Sequence, residues 1–211
     1  MDMGLDHDLT KVSGRTTLAR WISRIVHPIA FPLVTLAIVT YAADPHHAIA
    51  FAARWVLLAL VLTTVPISLL VLYQVVRGHW TDLDVSVRRQ RYTLYPFGLA
   101  CMIALTLVFM SLRAPTIAIA ATAAIVVANL VDGLINLAYK VSAHATVAAT
   151  CATVLYFGAP IWAVPAALAT LAVGWSRVAL GRHTPGQVVL GWLVGAASVV
   201  GVVALPTHLA F

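Results

Sequence analysis

The sequence contains no glutamate. Its acidic residues are Asp2, Asp6, Asp8, Asp44, Asp82, Asp84 and Asp132, so a site built from several carboxylate metal ligands has little to draw on. Charge of either sign is scarce: 9% of the 211 residues are charged, against about 25% in soluble domains. Cysteine is scarce as well. Cys101 and Cys151 both fall inside apolar runs and read as small core residues rather than a disulfide. No second domain, low-complexity tract or convincing internal repeat stands out. A cleavable leader is not expected, because the start, MDMGLDHDLT, is polar and acidic and the first apolar run has no clear small-residue cleavage site. That run is expected to remain as a first span.

What the chain has in abundance is apolar surface: 62% of it is hydrophobic, with a mean hydropathy of +0.96. The expectation is an all-α, polytopic transmembrane helical bundle of six to seven spans. About 20 apolar residues carry a helix across the hydrocarbon, and such runs lie near residues 25–43, 55–76, 97–112, 115–137, 143–158, 161–180 and 187–205. Breaks separate them: Asp44-Pro45, the polar stretch from Arg77 to Arg91, Arg113-Ala114-Pro115, and Gly158-Ala159-Pro160. Residues 1–24 form a basic tail or an interfacial helix, residues 25–205 the membrane domain, and residues 206–211 a short tail.

The net charge of +6 does not point to nucleic acid, because the basic residues sit at span ends, where headgroups or a lipid phosphate would be met. With seven spans, one side carries Lys11, Arg15, Arg20, Arg24, Arg77, Arg88, Arg89, Arg91, Lys140, Arg177 and Arg182. The other carries only Arg54 and Arg113. That asymmetry makes the rich side cytoplasmic in a plasma (inner) membrane, with Phe211 outside. Cations kept for catalysis would weaken the bias without reversing it.

The loops on the rich side share more than charge. The loop after the second span reads DLDVSVRRQRYTLYP. The loop after the fourth carries Lys140-Val141-Ser142-Ala143-His144, and the end of the sixth span leads through Ser176-Arg177 to Arg182-His183-Thr184. Taken singly, Arg88, Arg89 and Arg91 could be an orientation signal, Lys140 a snorkelling anchor, and either histidine an interface residue. Together they suit phosphate chemistry. Fixed cations stabilise the charge on a phosphate in transfer, one imidazole can attack phosphorus, and another can protonate the leaving alkoxide. Asn129, Asp132 and Asn136 share one face of the fourth span; they either hold the loop and line a substrate groove or form an interhelical seam.

From Arg77 to Gly195 the chain resembles the type 2 phosphatidic acid phosphatases, a family of membrane lipid phosphatases. Their third motif, Ser-Arg, five residues, His, three residues, Asp, is matched by Ser176-Arg177 and His183, with Gln187 at the Asp position. Their second motif, Pro-Ser-Gly-His, appears as Val141-Ser142-Ala143-His144. Their first, Lys, six residues, Arg-Pro, is altered. Arg91 is the best candidate for its Arg, Asp84 stands at the Lys position, Tyr92 stands where Pro should follow, and Arg88 is a possible substitute for the Lys. The resemblance implies His183 as nucleophile and His144 as general acid. It implies Arg177, Ser142, Arg91, Arg88 and Lys140 around the phosphate, Ser176 in support of the loop, and no cofactor. It implies hydrolysis of a lipid phosphate, phosphatidate or a prenyl phosphate or diphosphate, among membrane lipids. Gln187 can still fix the imidazole tautomer, but it lacks the charge with which a carboxylate stabilises an imidazolium.

Two other readings stay open. Asp82 and Asp84 could hold one magnesium ion in a prenyl or alcohol-phosphate transferase. Alternatively, the chain binds lipid phosphate, or transports, without catalysis. A phosphoenzyme could also pass its phosphoryl group to an alcohol other than water.

Overall fold

The computed structural model describes residues 5–204, and side chains from residue 14 to 203. The described residues form a helical bundle with no strand. Its eight helices are α1 Leu5–Ile25, α2 Ala30–Ala43, α3 Ile49–Val76, α4 Arg91–Ser111, α5 Thr116–Ala138, α6 Ala143–Gly158, α7 Ala163–Ala179 and α8 Pro185–Ala204. Within α3, Pro66 cannot donate to the helix ladder, and the turn just before it, Leu60–Thr64, widens to a π turn.

Among the described residues, five helical stretches are long and apolar enough to cross a membrane: Ile49–Val76, Arg88–Ser111, Thr116–Ala138, Pro160–Ala179 and Pro185–Val203. The first expected span, 25–43, is not one straight helix. Pro28 lacks an N–H and disfavours helix at His27, so the chain breaks between α1 and α2, and the two meet at 48°. Counting that bent pair as one span gives six. The expected span at 143–158 is present as α6, but at 16 residues it is short for a crossing. The third span begins earlier than expected, at Arg91, and carries Pro96 inside it.

Residues 5–25 are helical rather than an irregular tail. Ala19 and Ser23 of α1 are buried, Arg15 lies over the Trp175 ring on α7, and the two helices pack together. Residues 1–4 and the expected tail 206–211 lie outside the described residues.

The bundle is small inside and large outside. Ala118, Ala124, Ala145 and Ala148 are buried, whereas Leu69, Leu107, Leu134, Leu168 and Leu193 face outward. The most extensive helix pair is α6 with α8. Gly191 and Gly195, one turn apart on α8, make it possible. A Cβ on Gly191 would stand 2.8 Å from the Ser142 carbonyl oxygen, and one on Gly195 would collide with the Thr146 carbonyl oxygen. This contact sets the start of α6, which bears His144, against the first half of α8, which follows His183.

Candidate functional site

Three loops and the α1–α2 break meet at one end of the bundle. The loop between α7 and α8 is fixed by a Schellman turn. Gly181, at φ +64°, occupies the left-handed position that suits glycine. Its N–H donates to the Val178 carbonyl, while those of Arg182 and His183 both donate to the Arg177 carbonyl. Arg177 and His183 are thus held by one turn of backbone, which accounts for the fixed interval between them.

The next helix starts with a reciprocal cap. The Gln187 N–H donates to Thr184 Oγ1 (3.3 Å), and the Thr184 N–H donates to Gln187 Oε1 (3.3 Å). Pro185 takes the first helical position. The second bond fixes the Gln187 amide, because a backbone N–H can only donate, so the atom it meets is the oxygen. His183 Nδ1 lies 3.1 Å from that same oxygen and must therefore carry the proton, leaving the Nε2 electron pair free. His183 is buried, and burial, with the charges of Lys140, Arg91 and Arg177, lowers its pKa to about 3 despite the bond to Gln187. At neutral pH it is an uncharged imidazole with Nε2 unprotonated.

Arg177 is 1% exposed and donates through Nη1 to Ser23 Oγ (2.9 Å) and Asp84 Oδ2 (3.0 Å). Its Nε is buried with no hydrogen-bond partner. Ser176, beside it, donates to the Val173 carbonyl and serves the helix. Ser142 is fully buried and caps α6 by accepting from the Ala145 N–H, while its own N–H donates to the Gln187 carbonyl (3.2 Å). His144, in the first turn of α6, lies within electrostatic reach of Arg177, His27, His183 and Arg91. Its Nε2 is also buried without a partner.

The remaining expected phosphate ligands act mainly as ties. Arg91 is buried; its Nε donates to the Val85 carbonyl (2.8 Å) and its Nη1 to the Val141 carbonyl (3.0 Å), joining two loops. Arg88 donates to the Asn136 and Leu137 carbonyls and closes the C-terminal end of α5. Lys140 Nζ donates to the Arg182 carbonyl (2.8 Å), and burial followed by Arg91, Arg177 and Arg182 lowers its pKa. The polar face of α5 divides its work: Asn136 donates to the Arg88 carbonyl and holds the loop, whereas Asn129 and Asp132 line a cavity.

Asp82 and Asp84 face arginines. Asp84 pairs with Arg177, and Asp82 stands 4.0 Å from Arg182 while accepting from Ser86. Between the two aspartates and Ser86, Val85 adopts φ +48°, a strained conformation for a β-branched residue. It is held there by burial and by Arg91.

His27 was not singled out by sequence reasoning. It stands in the α1–α2 break, edge-on to His144 with ring centroids 5.6 Å apart. One ring nitrogen of each histidine and a carboxylate oxygen of Asp84 all lie within 4.8 Å of one another. The centre of so small a triangle is about 2.8 Å from its corners, hydrogen-bonding distance for an oxygen atom. A transition metal needs about 2.0–2.1 Å to imidazole, so the corners would have to close, and the neighbouring Arg177 and Arg91 oppose a further cation. The Ile29 N–H donates to His27 Nδ1 (3.2 Å), which leaves the proton of neutral His27 on Nε2. A polar His-Pro pair inside an otherwise apolar run was the sequence signal that could have found it.

From this triangle a cavity of about 260 Å³ runs between α2, α3, α4, α5 and α6. Its walls are mostly apolar, Leu36, Ile67, Met102 and Val154 among them, and its polar end holds His27, Asp84, Arg91 and His144. Comparison with protein-family models, with curated proteins and with solved structures returns no match.

Proposed function

We propose that this chain is a metal-independent membrane lipid phosphatase akin to the type 2 phosphatidic acid phosphatases. It hydrolyses a lipid phosphate, phosphatidate or a prenyl phosphate or diphosphate, through a phosphohistidine. One observation carries this reading: Arg177 Nε and His144 Nε2 are both buried without partners, beside a His183 whose Nδ1 is tied and whose Nε2 is free. A buried unpaired donor and ring nitrogen are costly unless a ligand completes them. A phosphate ester supplies acceptor oxygens for the arginine and a leaving oxygen for His144.

In the proposed reaction His183 Nε2 attacks phosphorus in line, and the phosphorus–ester oxygen bond breaks. His144, protonated once the phosphate dianion binds beside it, gives its proton to the departing alkoxide, releasing the alcohol. Water then attacks the phosphohistidine and gives a proton to His144. The phosphorus–nitrogen bond breaks, and His183 returns with phosphate free. His27 and Asp84 surround the leaving oxygen with His144 and keep the proton supply close. Arg177, with Lys140 and Arg91 nearby, stabilises the charge on the transferring group without a metal. Gln187 orients His183 as a neutral acceptor.

The bundle is proposed to cross the plasma (inner) membrane six or seven times, with the histidines on the cytoplasmic face. The five long apolar stretches and the outward leucines support the membrane, and the Lys and Arg asymmetry supports the sidedness. The decisive test is phosphate release from a panel of lipid phosphates by purified protein in detergent, with His183→Ala as control. Activity is expected to survive EDTA and to be inhibited by vanadate. Loss on chelation, restored by magnesium, would refute the metal-free mechanism. For sidedness, a single Cys at the C-terminus, in a background without Cys101 and Cys151, should react with an impermeant maleimide in intact cells, and one near Lys11 should not. The reverse pattern would overturn the cytoplasmic placement alone.

A further inference from the structure

Nine buried side-chain N or O atoms lack a hydrogen-bond partner among the described residues, and five of them line the one cavity described above: Thr35 Oγ1, Tyr95 Oη, Asn129 Oδ1, Asp132 Oδ1 and His144 Nε2. They come from α2, α4, α5 and α6, so no single helix accounts for them. Thr35, Asp132 and His144 are each more than nine-tenths buried. A cavity meant only for a hydrocarbon chain would be lined by groups that need no partner, because an orphaned polar group in such a place is costly. The pattern therefore belongs to a site completed by a polar ligand.

The chemistry of the orphaned atoms says which kind. Asn129 Oδ1 accepts, the Thr35 and Tyr95 hydroxyls both donate and accept, and the Asp132 carboxyl accepts when ionised and donates when protonated. A ligand hydroxyl, which donates and accepts through one atom, matches such a set. The placement of these groups says where that hydroxyl sits. Tyr95 is one turn beyond Arg91 on α4, Asp132 is within electrostatic reach of Arg91, and Asn129 lies about 5 Å further along α5. Gly98 lets α4 lie close against this amide, since a Cβ at that position would stand 3.1 Å from Asn129 Nδ2. That hydroxyl thus lies a few ångströms from the phosphate end, with apolar walls beyond it.

We propose that this cavity binds the alcohol portion of the substrate and selects a lipid phosphate that carries a hydroxyl group near the phosphate, over a prenyl phosphate that has none. The inference rests on the lipid phosphatase reading for its substrate, while the cavity's need for a hydrogen-bonding partner stands apart from catalysis. A hydroxyl two or three bonds from the phosphate reaches Tyr95 and Asp132, and the single chain behind it follows the apolar wall toward Leu105 and Val154. A site that hydrogen-bonds a hydroxyl discriminates strongly against an analogue lacking it, because its own groups are then left unpaired.

The test uses the full chain purified in detergent and compares 1-acylglycerol 3-phosphate with its 2-deoxy analogue and with a prenyl phosphate of similar carbon count. The hydroxylated substrate is expected to show a kcat/KM at least about tenfold higher than either. Tyr95→Phe, which removes one oxygen, and Asn129→Leu, which removes an acceptor, should each bring the ratio toward one. Equal kcat/KM for the matched pair in the wild-type protein, or an unchanged ratio in both variants, would overturn the proposal. A parallel binding assay uses labelled 1-monoacylglycerol and the propyl ester of the same acid. Saturable binding of the former alone, weakened by Asn129→Leu, would support the cavity even if no substrate released phosphate, in which case only the phosphatase reading would fail. Equal binding of both compounds would overturn the proposal.

Discussion

Gln187 stands where the resembling family has a carboxylate, and its replacement tests both of its roles. In Gln187→Leu the side-chain acceptor disappears from two donors, the Thr184 N–H and His183 Nδ1. The cap is a stability term. The Thr184 side chain still accepts from the backbone N–H of residue 187, so about half of the reciprocal pair remains and the loss is about 1 kcal/mol. The catalytic term is larger. As His183 attacks phosphorus its ring gains positive charge, and the Nδ1–H bond to Oε1 becomes charge-assisted. Such a bond contributes about 1.5–3 kcal/mol, which converts to a rate loss of about 10- to 150-fold. Gln187→Glu keeps the cap and adds the charge, so it should match or exceed the wild-type rate, with a raised acid limb in its pH profile. Initial rates of phosphate release across pH would read these effects, with thermal unfolding in the same detergent as the fold control. A Gln187→Leu protein that kept more than half of the wild-type rate would refute the claim that this bond orients the nucleophile.

Three further outcomes follow from the same geometry. His183 has its pKa lowered from 6.5 to about 3, so between those values the unfolded chain binds a proton that the folded one does not. Stability should therefore fall as pH drops from about 6.5 toward 3, and the fall should be shallower in His183→Gln, measured by thermal unfolding. Asp84→Ala leaves Arg177 buried and unpaired. Since Asp84 is itself about a third exposed, a destabilisation of about 2 kcal/mol is expected, whereas Arg182→Ala, at an exposed pair, should stay within about 1 kcal/mol. Gly195→Val should force α6 from α8 through the Thr146 carbonyl and abolish activity together with a large loss of thermal stability, while Gly201→Ala, with nothing within 4 Å of the added Cβ, should alter neither.

Hydrophobic runs made most helices legible from sequence, because a stretch such as Thr116–Ala138 has few ways to satisfy its backbone other than a helix. The gathering of three loops was legible through alternation of spans, and Ser-Arg-x5-His through a turn whose geometry depends on local residues ending at Gly181. What sequence reasoning missed depends on contacts distant in the chain. The apolar run 25–43 conceals a bend that Pro28 creates, and with it His27, whose neighbour His144 is more than a hundred residues away. Asp84 read as a departure from a lysine, yet in three dimensions it is the partner of Arg177. Arg88 and Arg91 read as cations for phosphate, and in three dimensions each also ties carbonyl oxygens of α5 or the loops. Gln187 read as a weakened acid, and its place in a helix cap became visible only with the Thr184 bond.

The most direct measurement of the central claim is rapid-quench trapping of the phosphoenzyme with lipid [32P]phosphates, phosphatidate and 1-acylglycerol 3-phosphate, in the presence of EDTA. The account predicts an acid-labile, alkali-stable label that maps to His183 and is absent from His183→Ala. Turnover without any trapped label on that residue, or a label that persists in His183→Ala, would contradict it.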